Sequence, residues 1–163
     1  MNKPLVFGGV MSTLAALLHI AIIIGGPDWY LFFGAGEDMA NMAAQGSWRP
    51  ALTTLGIFAV LQIWGLYAFS GAGLIRRLPL LRTVLVMVSA VFLIRGLLLI
   101  PVWIIDPGYI VFLHVWSSMV SFIMGAAYAV GTRRAWREIS PPPLQSADSV
   151  VLPDAAEAGF LKH

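Results

Sequence analysis

The chain has 163 residues, of which 59% are hydrophobic and only 11% are charged, and its formal net charge is +2. Soluble domains carry about 25% charged residues, so the composition excludes an ordinary soluble protein. The basic residues stand in short blocks beside apolar runs, a pattern that fits membrane-flanking charge and argues against a nucleic-acid partner. The chain has no cysteine, which excludes disulfides, thiol catalysis and thiolate metal sites.

Four long apolar runs follow one another along the chain. Each has about the 20 residues that a helix needs to cross a hydrocarbon core roughly 30 Å thick. Backbone groups in lipid must be hydrogen-bonded within the protein, so each run is predicted to be a helix. The predicted spans are residues 4–26, 50–74, 81–105 and 109–131. The predicted fold is an all-α, polytopic membrane four-helix bundle formed by residues 1–138.

The segment between the first two spans, residues 27–49, is predicted to be more than a linker. It begins with aromatic residues, including Trp29 and Tyr30, which accumulate at the headgroup region of membranes. Residues 37–45 contain good helix formers that begin with acidic residues, a pattern typical of a helix start. We therefore expect an outer loop with a short interfacial helix, which lies on the membrane surface or dips back over the bundle. A simple aromatic anchor is the alternative.

Small residues at intervals of four indicate where the helices approach one another. One such stripe lies in the first span and one in the fourth: Gly8, Ser12 and Ala16, then Ser121, Gly125 and Ala129. Small side chains let backbones approach closely, so both stripes are predicted bundle contacts, with a dimer face as the alternative. Pro101 is predicted to bend the third helix, because proline lacks the N–H that a helical carbonyl needs.

Lysine and arginine determine the predicted orientation. Arg49, before the second span, is the only basic residue predicted on the outer side, and the others that flank the spans occur at Lys3 before the first span, in residues 76–82 between the second and third, and in residues 133–137 after the fourth. With four spans these last three places fall on one side, which the positive-inside rule assigns to the cytoplasm. We expect a multi-pass protein of the bacterial cytoplasmic (inner) membrane with both termini cytoplasmic. Residues 139–163, which include a run of prolines, are expected to form a flexible cytoplasmic tail.

Arg95 lies in the middle of the third span and is the most informative residue of the chain. A charge at this depth costs about 3 kcal/mol on insertion scales, so we expect it to face the bundle interior and to have a partner. It is predicted either to fix helix packing or to bind an anion or polar headgroup. Gln62 lies at a similar depth in the second span, where it either joins helices or belongs to the same site.

Two histidines are predicted at similar depth below the outer surface. His19 lies near the outer end of the first span, and His114 lies near the outer start of the fourth. Three carboxylates are expected on the same side: Glu37 and Asp28 in the outer loop, and Asp106 in the turn between the last two spans. We expect one outward-facing cavity to hold the histidines and Arg95. The alternative is that each histidine only satisfies a local hydrogen-bonding partner.

The predicted ligand-binding residues are His19, Glu37, Gln62, Arg95 and His114. We expect a ligand-binding or accessory membrane protein that takes an amphiphilic or lipid-soluble molecule from the bilayer. One alternative is an enzyme acting on a lipid or quinone-like substrate, with a histidine and Glu37 as acid and base. A second is a haem-carrying electron-transfer subunit with two axial histidines, and a third is a divalent metal site, for which no motif spacing is present. Catalytic residues are not assigned, and a homodimer or larger membrane complex is left open.

Reporter fusions test the predicted topology. A reporter joined after residue 40 and one joined after residue 78 should report opposite sides of the membrane, because one predicted span separates these positions. We expect alkaline phosphatase, which needs export, to be active only at residue 40, and a cytoplasmic fluorescent protein to be bright only at residue 78. Equal signals from one reporter at both positions would contradict the four-span topology.

Overall fold

The computed structural model describes residues 2–105 and 112–139 of the chain. Within those ranges the protein is all-helical. Its helices are, in order, α1 (Lys3–Gly25), α2 (Pro27–Phe32), α3 (Glu37–Ala44), α4 (Arg49–Gly71), α5 (Leu81–Leu97), α6 (Leu99–Ile105) and α7 (Phe112–Ala135). Asp106, the predicted start of the fourth span at residue 109 and nearly all of the predicted tail lie outside the described residues.

In the part of the chain that the structure describes, four helices are long and apolar enough to span a membrane. These spans are Lys3–Gly25, Arg49–Gly71, Leu81–Val102 and His114–Ala135, and the third runs from α5 into α6. Large apolar side chains cover the outside of the helices, and Ile24 for example is 81% exposed. So large an apolar surface is unfavourable in water, and the four helices therefore suggest a multi-pass membrane protein. The predicted all-helical fold with four long apolar helices is confirmed for the described residues.

The second long helix ends earlier than its apolar run. α4 ends at Gly71 rather than at residue 74. Gly73 takes a positive φ of 79°, and the Leu74 N–H donates to the Phe69 carbonyl at 3.0 Å. This pattern closes a helix with a residue that has no β-carbon. Hydropathy alone extends the predicted span to Leu74, because this residue is apolar although it lies beyond the end of the helix.

The third long helix keeps its predicted bounds but is interrupted, and the fourth extends beyond its predicted end. The third is interrupted at Leu98, between α5 and α6, three residues before Pro101. The missing N–H of Pro101 leaves the carbonyl one turn earlier without its helical partner, and the helix breaks there. α7 continues to Ala135 rather than to residue 131, because Arg133 and Arg134 form helices well and their charge suits a helix C-terminus.

The four long helices form a ring in the order α1, α4, α5, α7. α1 packs most extensively against α4, and α5 packs most extensively against α7, so the ring consists of two helix pairs. α1 and α5, both fully described, stand diagonally opposite and do not contact each other. The end of the bundle where α1 begins and α7 ends is named the terminal end. The end that carries α2 and α3 is named the loop end.

Small residues let these helices approach where the sequence predicts it. A β-carbon at Gly125 of α7 would stand 2.7 Å from the backbone nitrogen of Leu93 in α5. A β-carbon at Gly8 of α1 would stand 2.9 Å from the ring of Tyr128 in α7, and Ser12, one turn further along α1, is fully buried. Both stripes of small residues therefore contribute contacts within the bundle.

Tyr128 joins the two helix pairs. Its side chain is fully buried, and its hydroxyl donates to the backbone carbonyl of Trp64 in α4 at 3.1 Å. Since the one hydroxyl hydrogen is used there, the Ser12 hydroxyl of α1 donates to the Tyr128 oxygen at 2.8 Å. The ring of Tyr128 also packs against Phe92 of α5, with the ring centroids 5.8 Å apart. One side chain of α7 thus contacts the other three long helices.

The segment between α1 and α4 covers part of the loop end. Tyr30 of α2 is buried against Ile22 of α1 and Ala40 of α3. Its hydroxyl is hydrogen-bonded with that of Thr54 in α4 at 3.3 Å. The two short helices are therefore attached to both members of the first helix pair.

Replacing Gly125 with leucine should destabilise the protein, because the new side chain would collide with the backbone at Leu93. Overpacking of this kind costs about 1–3 kcal/mol, and each kcal/mol lowers the thermal unfolding midpoint by about 2–4 °C for a chain of this size. The measurement is thermal unfolding in a mild detergent. Gly56→Leu is the matched control, because a β-carbon at Gly56 would meet nothing within 4 Å. A Gly125→Leu variant as stable as this control would contradict the α5–α7 packing.

Candidate functional site

A cavity of about 670 Å³ lies between the four long helices in their loop-end half. This loop-end cavity takes its polar lining from all four helices: His19 of α1, Thr53 of α4, Arg95 of α5, and Ser117 and Ser121 of α7. The rest of the lining is almost entirely aliphatic and aromatic. A space of this size, with apolar walls and a few polar groups, is typical of sites for small molecules.

An aromatic cluster closes the loop-end cavity towards the terminal end. Trp64 and Phe92 line the cavity, and their rings meet edge to face with centroids 5.2 Å apart. Phe92 in turn packs against Tyr128. The hydrogen bonds of Tyr128 therefore hold the helix pairs together directly below the cavity, and above this level the pairs leave the space open.

Arg95 brings a positive charge into the cavity. Its side chain is exposed to the open space, and Nη2 donates to the Ser117 hydroxyl of α7 at 3.3 Å. No carboxylate in residues 2–105 and 112–139 forms an ion pair with it. A guanidinium carries five N–H donors, so one long hydrogen bond leaves most of its binding capacity unused. The sequence predicted a partner for Arg95, and the partner found is the Ser117 hydroxyl, which does not neutralise the positive charge of the guanidinium.

His19 contributes a hydrogen-bond acceptor. Its Nδ1 lies 2.7 Å from the backbone carbonyl oxygen of Ala15, one turn earlier in α1. Because a carbonyl oxygen can only accept, Nδ1 carries the hydrogen in this contact. In the neutral imidazole Nε2 is then an acceptor. The hydrogen bond also fixes the ring against its own helix, which orients this nitrogen before any ligand arrives.

His19 and Arg95 stand on diagonally opposite helices of the ring. Their helices do not touch, and both residues line the same space, so a molecule in the cavity is reached from α1 and from α5. The pair offers a cationic multiple donor and a neutral acceptor. Together they suit a polar group that carries negative charge and a hydroxyl, or a carbonyl beside a hydroxyl.

The other three predicted site residues do not line this cavity. Glu37 is exposed at the start of α3. Gln62 is half-buried on α4, but its neighbour Leu61 faces the cavity, and one residue along a helix turns the side chain by about 100°. His114 is half-buried one turn nearer the loop end than Ser117. The structure thus brings together His19 and Arg95 and separates them from the other three.

Sequence reasoning missed residues that build this site. Ser117, which contacts Arg95, continues the predicted stripe of Ser121 and Gly125 by one turn towards the loop end. That regular spacing was a usable signal. Tyr128 was missed as well, although a tyrosine well inside an apolar span, away from both membrane surfaces, is a group whose hydroxyl needs a partner.

The described residues limit which cofactors the cavity can hold. No three histidine or carboxylate side chains among residues 2–105 and 112–139 lie close enough to hold a metal ion. His114 does not line the cavity that His19 lines, so the described lining offers one histidine to a group bound there. Axial ligation by two histidines receives no support from this arrangement.

The fold and the cavity define a class of protein: in residues 2–105 and 112–139 the chain is all-helical, with four helices that are long and apolar enough to span a membrane around a ligand-sized space. The chain matches no protein-family model, no curated protein and no solved structure. Its function must therefore be argued from its own residues.

Proposed function

We propose that the protein is a small multi-pass protein of a bacterial cytoplasmic membrane that binds an amphiphilic or lipid-soluble ligand in the loop-end cavity. Arg95 and His19 hold the polar group of the ligand, and the apolar walls accept its hydrocarbon part. The observation that carries the proposal is the placement of these two side chains on opposite helices around one apolar space. The protein acts by itself, as a homodimer or as an accessory subunit of a larger membrane complex.

The cost of Arg95 supports a ligand of this kind. A charged side chain within a membrane span is unfavourable by about 3 kcal/mol or more, and one hydroxyl partner offsets little of that. An anionic or strongly polar group beside the guanidinium would form charge-assisted hydrogen bonds, which are the strong ones in proteins. The site is thus more favourable occupied than empty.

The side walls of the cavity suit entry from the bilayer. Three apolar residues that line it are not buried by the rest of the protein, namely Leu18, which is 39% exposed, and Ile57 and Val60, which are each 44% exposed. Apolar walls that remain accessible suit contact with hydrocarbon chains. This favours a ligand dissolved in the membrane over one dissolved in water.

The charge distribution supports the proposed orientation. Basic residues stand at the terminal end: Lys3, Arg76, Arg77, Arg82, Arg133, Arg134 and Arg137. Asp28, Glu37 and Asp38 stand at the loop end, in α2 and α3. The positive-inside rule puts the terminal end in the cytoplasm, so the loop-end cavity belongs to the outer half of the bilayer. α2 and α3 then lie at the outer interface, where the exposed ring of Trp29 suits the headgroup region.

Two alternative functions are a membrane enzyme and a haem-binding subunit, and each predicts a different experimental result. An enzyme acting on a lipid or quinone-like substrate would use His19 as its base, without Glu37, which does not line the cavity. A haem-binding subunit would show a Soret absorption band when purified from haem-replete cells. Neither function has a specific observation in its favour among the described residues.

A photoactivatable fatty acid tests the binding site. The full-length protein in mild detergent is illuminated with this anionic amphiphile, and cross-linked peptides are quantified by mass spectrometry. We expect labelling of peptides that line the loop-end cavity. Arg95→Gln should reduce it at least about tenfold, because a charge-assisted hydrogen bond contributes about 1.5–3 kcal/mol. His19→Ala should lower it much less than Arg95→Gln, because the carboxylate of this probe has no hydrogen to donate to Nε2 of the neutral His19 ring.

Each variant has a matched control in the chain. Arg82→Gln removes the same charge from the same helix at the terminal end, where Arg82 stacks on Trp136 at 3.9 Å. His114→Ala removes a histidine that does not line the cavity. Both should label like the wild type, whereas Gly56→Leu should block labelling by filling the space. Labelling that is equal in Arg95→Gln and Arg82→Gln would contradict the proposal.

A further inference from the structure

A second cavity, of about 400 Å³, lies at the terminal end of the bundle. Among the described residues, the charged side chains that line this terminal-end cavity are Lys3, Arg77, Arg134 and Glu138. The cationic residues come from the first turn of α1, from the connection between α4 and α5, and from the last turn of α7. Three cations against one carboxylate give the cavity a positive charge.

Two side chains hold these distant segments together. Asn2 donates from Nδ2 to the Gly131 carbonyl at 2.7 Å, which ties the start of α1 to α7. The Ser70 hydroxyl donates to the Arg76 carbonyl at 3.0 Å and accepts from the Leu78 N–H at 3.0 Å. That pair of bonds fixes the backbone on both sides of Arg77. The fold itself therefore places the cations around one space.

The exposed cations Lys3, Arg77 and Arg134 share this space, and their like charges favour an anion placed between them. The positive-inside rule requires basic residues at this end but does not require them to share a cavity. Arg76 and Arg133 satisfy the same rule, and they do not line this cavity. The helix dipoles do not favour an anion at this end. The N-terminus of α1 carries a partial positive charge there, but the C-termini of α4 and α7 carry partial negative charges. The selectivity must come from the side chains.

We propose that the terminal-end cavity binds a phosphate group, held between Arg77, Arg134 and Lys3. Guanidinium groups match phosphate oxygens in pairs, and lysine adds a point charge. The phosphate belongs to the headgroup of an anionic lipid or to a small soluble phosphate ester. Basic pockets between membrane helices on the cytoplasmic side are suited to lipid headgroups. This site lies at the opposite end of the bundle from the loop-end cavity and does not depend on the function proposed there.

Native mass spectrometry of the full-length protein tests this site. The protein in mild detergent is titrated with phosphatidylglycerol and, separately, with phosphatidylcholine of the same acyl chains. We expect phosphatidylglycerol occupancy to exceed phosphatidylcholine occupancy, and Arg77→Gln and Arg134→Gln each to lower it about threefold to tenfold. Arg76→Gln is the matched control, since it removes the same charge one residue away, and occupancy should be unchanged. Equal losses in Arg76→Gln and Arg77→Gln, or equal binding of both lipids, would overturn the proposal.

Two further arms separate a specific site from misfolding and identify the source of the phosphate. Glu138→Gln should raise phosphatidylglycerol occupancy, because it removes the carboxylate that lines the cavity among the described residues. A misfolded variant would not bind more, so a loss in Glu138→Gln contradicts the proposal. Glycerol 3-phosphate supplies the same phosphate without acyl chains. Displacement of the lipid by glycerol 3-phosphate assigns the site to soluble phosphate esters, and persistence of the lipid assigns it to the membrane.

Discussion

The hydroxyl of one tyrosine holds this bundle together. Tyr128 is fully buried in α7, where its oxygen accepts from Ser12 and its hydrogen goes to the Trp64 carbonyl. In an apolar span such a group is costly unless it is hydrogen-bonded, so its partners on α1 and α4 are strongly specified. These bonds fasten the α5–α7 pair to the α1–α4 pair at one level. The loop-end cavity lies on one side of that level, and the terminal-end cavity lies on the other, where Asn2 also joins the start of α1 to Gly131 of α7.

This constraint explains why the two cavities differ. Towards the loop end the helix pairs are held apart by bulky walls, and the charge of Arg95 enters an otherwise apolar space. Towards the terminal end the chain connections close over the helices, and the cations there lie at the level of the helix ends. A guanidinium among aliphatic side chains selects an amphiphile with a polar head. A cluster of cations at the surface selects an anion that water also reaches.

The sequence predicts the parts of this fold that depend on hydropathy and spacing. It does not predict which distant residues form hydrogen bonds with each other, or towards which side of a helix a given side chain points. Length and composition were enough for four spans, and regular spacing located Gly8 and Gly125 at helix contacts. The positions of Arg95 and His19 along their spans predicted that the two side chains share a cavity, and both line the loop-end cavity. Depth alone also placed His114 with them, although it lies a turn outside the cavity, and Gln62, although it is turned away from it. The Tyr128 bond to Ser12 joins residues 116 positions apart, and no local pattern reveals such a pairing.

A double-mutant cycle on Tyr128 and Ser12 tests this account most directly. The free energy of unfolding in detergent is measured for the wild type, Tyr128→Phe, Ser12→Ala and the double variant. Each single change should destabilise the protein, and the double change should destabilise it by less than their sum. The expected coupling is about 0.5–1.5 kcal/mol, the range for hydrogen bonds between membrane helices. Strictly additive losses would mean that the two hydroxyls do not join the helix pairs, and would contradict the account.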